Sequence, residues 1–91
     1  MDTQSMHAFV EVAKTASFSH AAEALHLTQP AISKRIARLE EQLDTRLFDR
    51  IGRHVHLTEA GEAFLPRCQR ILSDIQDAER LIHGLDGRIE G

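Results

Sequence analysis

The chain has 91 residues, 42% of them apolar and 27% charged, with a formal net charge of −3 at pH 7. That length and balance read as one small globular domain and exclude disorder and collagen-like repeats, while a single cysteine, Cys68, excludes an internal disulfide framework. No run of about 18 apolar residues is present, so no membrane span is expected, and no secretory signal is expected at the charged amphipathic start. A lone domain of this size buries only about 60–65% of its unfolded surface, so a partner would add stability.

The first element is a helix over residues 4–14, with Met6, Phe9, Val10 and Ala13 on one apolar face and Asp2 or Thr3 as its cap. Thr15-Ala16-Ser17 breaks the pattern. Ser17 is a good N-cap for a short helix over 18–25, whose apolar side is Phe18, Ala21, Ala22 and Leu25. The two alanines permit close approach of another helix. A turn at His26-Leu27-Thr28 leads to a third helix over 29–43, capped by Thr28, with Pro30 tolerated in the first turn because its missing N–H had no helical partner. Ile32, Ile36, Leu39 and Leu43 form its inner stripe; Leu47 and Phe48 continue the core. Pro30, Lys34, Ala37 and Arg38 point the other way, with Gln29 and Ser33 on the flank.

Residues 47–57 switch to a strand period around Gly52, giving a short hairpin decorated by Arg50, Arg53, His54 and His56. Thr58 caps the last helix, over 58–85, and Glu59 and Glu62 suit the positive end of its dipole. Phe64, Cys68, Ile71, Ile75, Ala78, Ile82 and Leu85 recur at alternating steps of four and three, the heptad seam of a helix that pairs with another. Pro66 is expected to kink this helix and Gly84 and Gly87 to end it, leaving 87–91 as a hinge or an added tail.

Charge is unevenly distributed. Residues 1–27 carry a net −2, residues 28–57 a net +2 and residues 58–91 a net −3. Gln29 to Leu39 holds Lys34, Arg35 and Arg38 and no acid. Local field, not the total, governs a ligand that touches one face. Arg35 lies nearer the core edge, where Glu40, Glu41 or another acid offers it a partner, and Arg50 is open to a structural ion pair.

Helix, short helix, tight turn, helix with a basic polar face, then a basic hairpin is the layout of a winged helix-turn-helix: 1–57 as the DNA-binding unit and 58–86 as the linker helix. The start of a recognition helix approaches base edges most closely. There Gln29 suits adenine, Ser33 donates or accepts, Lys34 reaches guanine, and Pro30 and Ala31 offer apolar contact to thymine methyls. Thr28 and the first helical N–H groups suit a phosphate. Arg53, beside Gly52 at the hairpin tip, suits a narrow minor groove.

The run from Ala13 to Leu43, including Ser17-Phe18-Ser19 and Leu25-His26-Leu27-Thr28-Gln29-Pro30-Ala31-Ile32-Ser33-Lys34, resembles the LysR-type transcriptional regulators. So do Arg46-Leu47-Phe48-Asp49-Arg50 and Leu57-Thr58-Glu59-Ala60-Gly61, and the resemblance extends over about residues 4–85. It implies a dimer of winged helix-turn-helix domains joined through helix 58–85, on double-stranded DNA with an interrupted palindromic operator. The implied DNA contacts are Thr28, Gln29, Pro30, Ser33, Lys34 and Arg38, with Arg50 and Arg53 from the wing. It further implies a following domain that senses a small-molecule effector, higher oligomers of the full-length protein, RNA polymerase as a further partner and a place in the bacterial cytoplasm. Asp44 departs from the pattern, which usually has glycine closing the recognition helix; Asp there must accept a left-handed backbone or end the helix differently.

Bland readings stand beside these. His54-x-His56 with Cys68 invites a metal, but two histidines without a positioned third ligand are weak, so no metal or cofactor is expected in this segment. Cys68 reads as a small core residue on the seam. No nucleophile triad, phosphate loop or carboxylate pair points to an enzyme. Two alternatives remain: the similar DNA-binding module of a molybdate-responsive regulator, and a coiled-coil protein-interaction module whose basic face is merely solvated.

Overall fold

The computed structural model describes residues 1–52 and 54–90, the last five of these as backbone alone. In chain order the elements are α1 (Thr3–Thr15), α2 (Phe18–Ala24), α3 (Gln29–Leu43), β1 (Phe48–Ile51), β2 (His54–Leu57) and α4 (Glu59–Glu90). This is a mainly helical winged helix-turn-helix followed by a long helix, as the sequence leads one to expect.

Short polar side chains start every helix. Asp2 Oδ1 accepts from the Ser5 amide at 2.7 Å, Ser17 Oγ from His20 at 3.1 Å, Thr28 Oγ1 from Ala31 at 3.2 Å and Thr58 Oγ1 from Gly61 at 3.0 Å. Each satisfies an amide that has no helical partner. Left-handed residues follow the helices: Ala16 after α1, His26 after α2 and Asp44 after α3 (φ 51°, ψ 43°). Asp44 therefore takes the glycine-like conformation. A short polar side chain is among the few that visit it at modest cost, and Thr45 N–H closes the turn on Glu40 O at 3.1 Å.

The inner face of α1 differs from the expected stripe. Ser5, Met6, Ala8, Phe9 and Val12 are buried, whereas Val10 and Ala13 are only half-buried. The reason is that α1 touches all three other helices, so burial wraps around it and a single-stripe reading is too narrow. On α3 the expected Ile32, Ile36 and Leu39 are buried and Leu43 half-buried. All four phenylalanines meet: Phe9 lies 5.3 Å from Phe48 and 5.2 Å from Phe64, and Phe18 meets Phe48 edge-on at 6.1 Å between centroids. Tilted aromatic contacts of this kind add about 0.5–1.5 kcal/mol each beyond area burial. They fasten α1, α2, β1 and α4 to one point.

The strands pair antiparallel with Phe48 opposite Leu57, Asp49 opposite His56, Arg50 opposite Val55 and Ile51 opposite His54. Alternation sends Phe48, Arg50, Val55 and Leu57 to one face and Asp49, Ile51, His54 and His56 to the other. Gly52, at φ 63°, makes the turn. The hairpin reaches α4 through Thr58, whose amide donates to Leu47 O at 3.0 Å and whose hydroxyl donates to Arg46 O at 2.6 Å. The next turn passes so close that a side chain at Gly61 would overlap Leu47 O and stand 2.9 Å from Leu57 Cδ2.

Two expectations for α4 are corrected. Its helical backbone runs through Pro66, Gly84 and Gly87 to Glu90 and does not stop at 85. A glycine inside a helix costs only about 1 kcal/mol, too little to end one by itself. The expected seam also divides in two. Cys68 is fully buried in the domain core, where its thiol donates to Met6 O at 3.7 Å, and Phe64 is half-buried against Phe9. These two residues pack on α1 and Cys68 leaves no surface for a partner. Leu72 is the last core residue of α4; beyond it Ile75, Ala78, Leu81, Ile82 and Leu85 are exposed, as is Ile71. Residues 87–90, expected as part of a hinge or an added tail, continue the helical backbone, and Gly91 lies outside the described residues.

Candidate nucleic-acid interface

The outer face of α3 is built by its inner one. Because Ile32, Ile36 and Leu39 anchor the helix in the core, the residues between them must face out. Gln29, Pro30, Lys34 and Arg38 are exposed, with Thr28 exposed at the cap, while Ala31, Ser33 and Arg35 are half-buried at the edges. Pro30, Ala31, Ser33 and Lys34 line one shallow open depression. The structure thus brings together seven of the expected contact residues: Thr28, Gln29, Pro30, Ala31, Ser33, Lys34 and Arg38.

Arg50 joins them from the wing. Its guanidinium carbon lies 4.4 Å from the centre of the Phe18 ring, a cation–π geometry. No ion pair of Arg50 is found among the described residues; this contact over the Phe18 ring takes its place. A cleft of about 270 Å³ separates the starts of α2 and α3 from the hairpin, and Ser17, Ser19, Gln29, Arg50 and His54 line it. Ser19 Oγ donates to Gln29 Oε1 at 3.3 Å, which orients the Gln29 amide before any ligand arrives. Ser19 and His54 were not among the expected contacts. The signal for Ser19 is its place two residues after an N-cap serine, on the same helix end as Phe18. Arg53 lies outside the described residues.

Glu40 is a second omission, and it corrects the reading of Arg35. Its Oε2 accepts from Leu47 N–H at 2.7 Å and from Phe48 N–H at 3.4 Å. The carboxylate at the end of α3 therefore caps the start of β1 and fixes the wing to the recognition helix. Arg35 is not its partner. Arg46, from the same segment, donates to Phe48 O at 3.3 Å and stands 3.8 Å from Asp49.

At the other end of the face, Asp2 Oδ2 lies 4.0 Å from Arg38 Nε. The Ser5 amide donating to Asp2, helped by the Arg38 guanidinium, holds the Asp2 carboxyl below the usual carboxylate range. Burial pushes the Cys68 thiol up to about 11, so it is a neutral thiol at ordinary pH. His54 and His56 are exposed on the hairpin with ring centroids 6.2 Å apart, whereas Cys68 is buried against Met6, so the three do not converge. Among the described residues no group of three or more His, Cys, Asp or Glu is placed to hold a metal ion.

Comparison with known proteins adds the following. Residues 3–62 match the family described as "Bacterial regulatory helix-turn-helix protein, lysR family". The chain is 60% identical over 91 residues to an uncharacterized HTH-type transcriptional regulator in the ibpB-leuC intergenic region of Azotobacter vinelandii, and it spans 63% of that relative's length. Its fold is similar to that of the CbnR DNA-binding domain in complex with DNA, with a TM-score of 0.88 and 32% identity, covering 93% of this chain and 98% of that one. It is equally similar to the BenM DNA-binding domain on benA site 1 DNA, with a TM-score of 0.88 and 30% identity over 93% of this chain and 96% of that one.

Proposed function

The chain belongs to the LysR family of bacterial regulatory helix-turn-helix proteins, and from that premise we propose that it is the sequence-specific, double-stranded-DNA-binding part of a dimeric transcription regulator. The observation that carries this is the outer face of α3: Gln29, Pro30, Lys34 and Arg38 exposed side by side, with Arg50 held beside them on Phe18. Short polar and apolar groups at the helix start address base edges, and the cations address phosphates on either side. Two folds similar to it are DNA-binding domains solved on DNA. In this reading α3 lies in the major groove and the hairpin, Arg53 included, reaches the adjacent minor groove.

Homodimerisation runs through the exposed part of α4. Ile71, Ile75, Ala78, Ile82 and Leu85 keep the heptad spacing after Cys68 and Phe64 are taken up by the domain core. Joining two half-site binders makes the second contact intramolecular, which raises overall affinity without any new contact. An interrupted palindrome is the operator geometry that such a two-fold dimer matches. The chain spans 63% of the Azotobacter relative and 29% of the HdfR regulator of Salmonella newport; a longer regulator of this kind would add a domain for a small-molecule effector, form higher oligomers and act on RNA polymerase in the bacterial cytoplasm. No helix among the described residues is long and apolar enough to cross a membrane. The family is one of regulators and not of enzymes. Membership in it disfavours the molybdate-responsive and purely coiled-coil alternatives.

Binding to labelled duplex DNA over a salt series tests the proposal. Affinity should fall steeply and linearly in log salt, because phosphate contacts release counterions. Selection from a random duplex pool should then enrich an interrupted palindrome. No binding at low salt to any duplex would refute DNA binding, and enrichment of unrelated sequences would refute sequence readout.

A further inference from the structure

Beside the cations of α3 lies a cleft with a single acid in its lining. This cleft of about 220 Å³ between the start of α1 and the middle of α3 is lined by Asp2, Gln4, Ser5, Ala31, Lys34, Arg35 and Arg38. Within that lining Asp2 stands alone against three cations, and it is 4.0 Å from one of them, Arg38. Its other oxygen is committed elsewhere, accepting the Ser5 amide at 2.7 Å, and Ser5 is buried. The carboxylate is thus a fixed anion, tied to the helix it caps, while Arg38 is a mobile cation on a long stem, with 68% of its side chain exposed.

We propose that Asp2 restrains Arg38 and so weakens sequence-independent DNA binding, making it a specificity-setting residue of the DNA-binding surface. The inference rests on the DNA-binding reading above and deepens it. Exposed ion pairs of this kind contribute little to stability, an anion at the helix start adds a modest dipole contribution, and asparagine would serve the cap hydrogen bond as well. The charge also acts on the ligand. A phosphate approaching Arg38 must displace an anion already beside it, and it meets that anion's repulsion as it arrives. In a loosely bound, sliding complex, held almost wholly by phosphate contacts, this exchange is opposed at every site. Once Gln29, Ser33 and Lys34 engage base edges, α3 is seated and a phosphate is held against Arg38, so the exchange is driven by contacts that only the correct sequence supplies. The Ser5 amide and Arg38 keep the carboxyl ionised well into acid, so the restraint operates throughout the neutral range.

The experiment uses the whole chain and a fluorescent duplex of mixed sequence at low salt, measured by anisotropy. Asp2→Asn keeps the cap oxygen and removes the charge. It should bind the mixed duplex about three- to tenfold tighter, the size expected of one unit charge 4.0 Å from a cation in water, with a salt slope steeper by about one. In an Arg38→Ala background the same substitution should change affinity less than twofold. Asp2→Asn should melt only slightly below the parent, by the loss of a charged cap at the start of α1, and binding is compared where both proteins are folded. Unchanged or weaker binding by Asp2→Asn overturns the proposal. So does equal tightening with and without Arg38, which would reduce Asp2 to a term in the overall field. Failure of the unmodified chain to bind the duplex at all would overturn the DNA-binding reading itself and this inference with it.

Discussion

Replacing Glu40 should loosen the wing from the recognition helix. Its Oε2 accepts one short bond from Leu47 N–H, at 2.7 Å, and a longer one from Phe48 N–H at 3.4 Å, in a partly buried setting. A hydrogen bond to a charged acceptor contributes about 1.5–3 kcal/mol, and removing the acceptor also strands the Leu47 amide. The longer bond adds little. Glu40→Ala should therefore cost about 2–3 kcal/mol, and at about 4–8 °C per kcal/mol for a domain this small the melting temperature should fall by roughly 8–24 °C. Glu40→Gln retains a carbonyl oxygen for Leu47 and loses only the charge assistance, so it should melt between the two. The functional part is separable: at a temperature where all three proteins are folded, Glu40→Ala should bind DNA more weakly, because Arg50 and the hairpin tip no longer hold their place beside α3. Circular dichroism melts and anisotropy titrations read these effects. An alanine variant that melts within about 2 °C of the parent would refute the assignment of Glu40 as the strut between α3 and β1.

Three other perturbations test the remaining contacts. Arg50→Ala should lower the salt slope of DNA binding by about one, while Arg50→Lys should keep the slope but lose most of the affinity, since an ammonium lacks the planar stack on Phe18; lysine binding as well as arginine would show that the stack does not matter. Ile75→Asp should dissociate the dimer in sedimentation velocity without lowering the melting temperature of the domain, because Ile75 is 37% exposed in the single chain and would be charged at the seam; an intact dimer would remove the exposed half of α4 from the interface. Cys68, fully buried and with its thiol pushed up to about 11, should resist iodoacetamide at neutral pH and react only as the protein unfolds in denaturant; labelling at the rate of a free thiol under native conditions would contradict the packing of α4 on α1.

What the sequence made legible is whatever local chemistry decides. Ser17, Thr28 and Thr58 can each be assigned as a cap from their place before an apolar period, and each accepts the amide three residues on. The α3 stripe is equally plain because that helix has one inside and one outside. Where tertiary contact decides, the periodicity misleads. Val10 and Ala13 fit a one-sided α1, but a helix touched by three others buries Ala8 and Val12 more deeply. The heptad at Phe64 and Cys68 is real as a spacing, yet the same spacing serves intramolecular packing on α1 before it serves the exposed half of the helix. The hold of Glu40 on the wing and the place of Asp2 beside Arg38 were invisible for another reason. Each acts on a segment defined only by the chain's return, and a charged residue on an exposed helix end carries no mark of the partner it will meet.

The negative net charge then ceases to be a paradox. A field that matters to a ligand decays over about 8 Å at physiological ionic strength. The molecule measures 56 Å along its longest axis because α4 continues past Leu72, its last core residue, and Asp74, Asp77 and Glu79 ride on that extension. At about 1.5 Å per residue these acids recede from the packed core with every turn, so most of their field is screened from a ligand held at α3. The acids that count are those within a Debye length of the recognition face. Asp2 is paired with Arg38 there, Glu40 accepts from the amides of Leu47 and Phe48, Asp49 stands beside Arg46, and Glu41 and Asp44 lie exposed at the C-terminal end of α3, away from Gln29 and Ser33 at its start. Lys34 and the Arg50 guanidinium edge are left facing outward with no acid assigned to them among the described ion pairs. A surface assembled this way is attractive to a polyanion on one side only, and the acidic extension orients the approach by disfavouring the other.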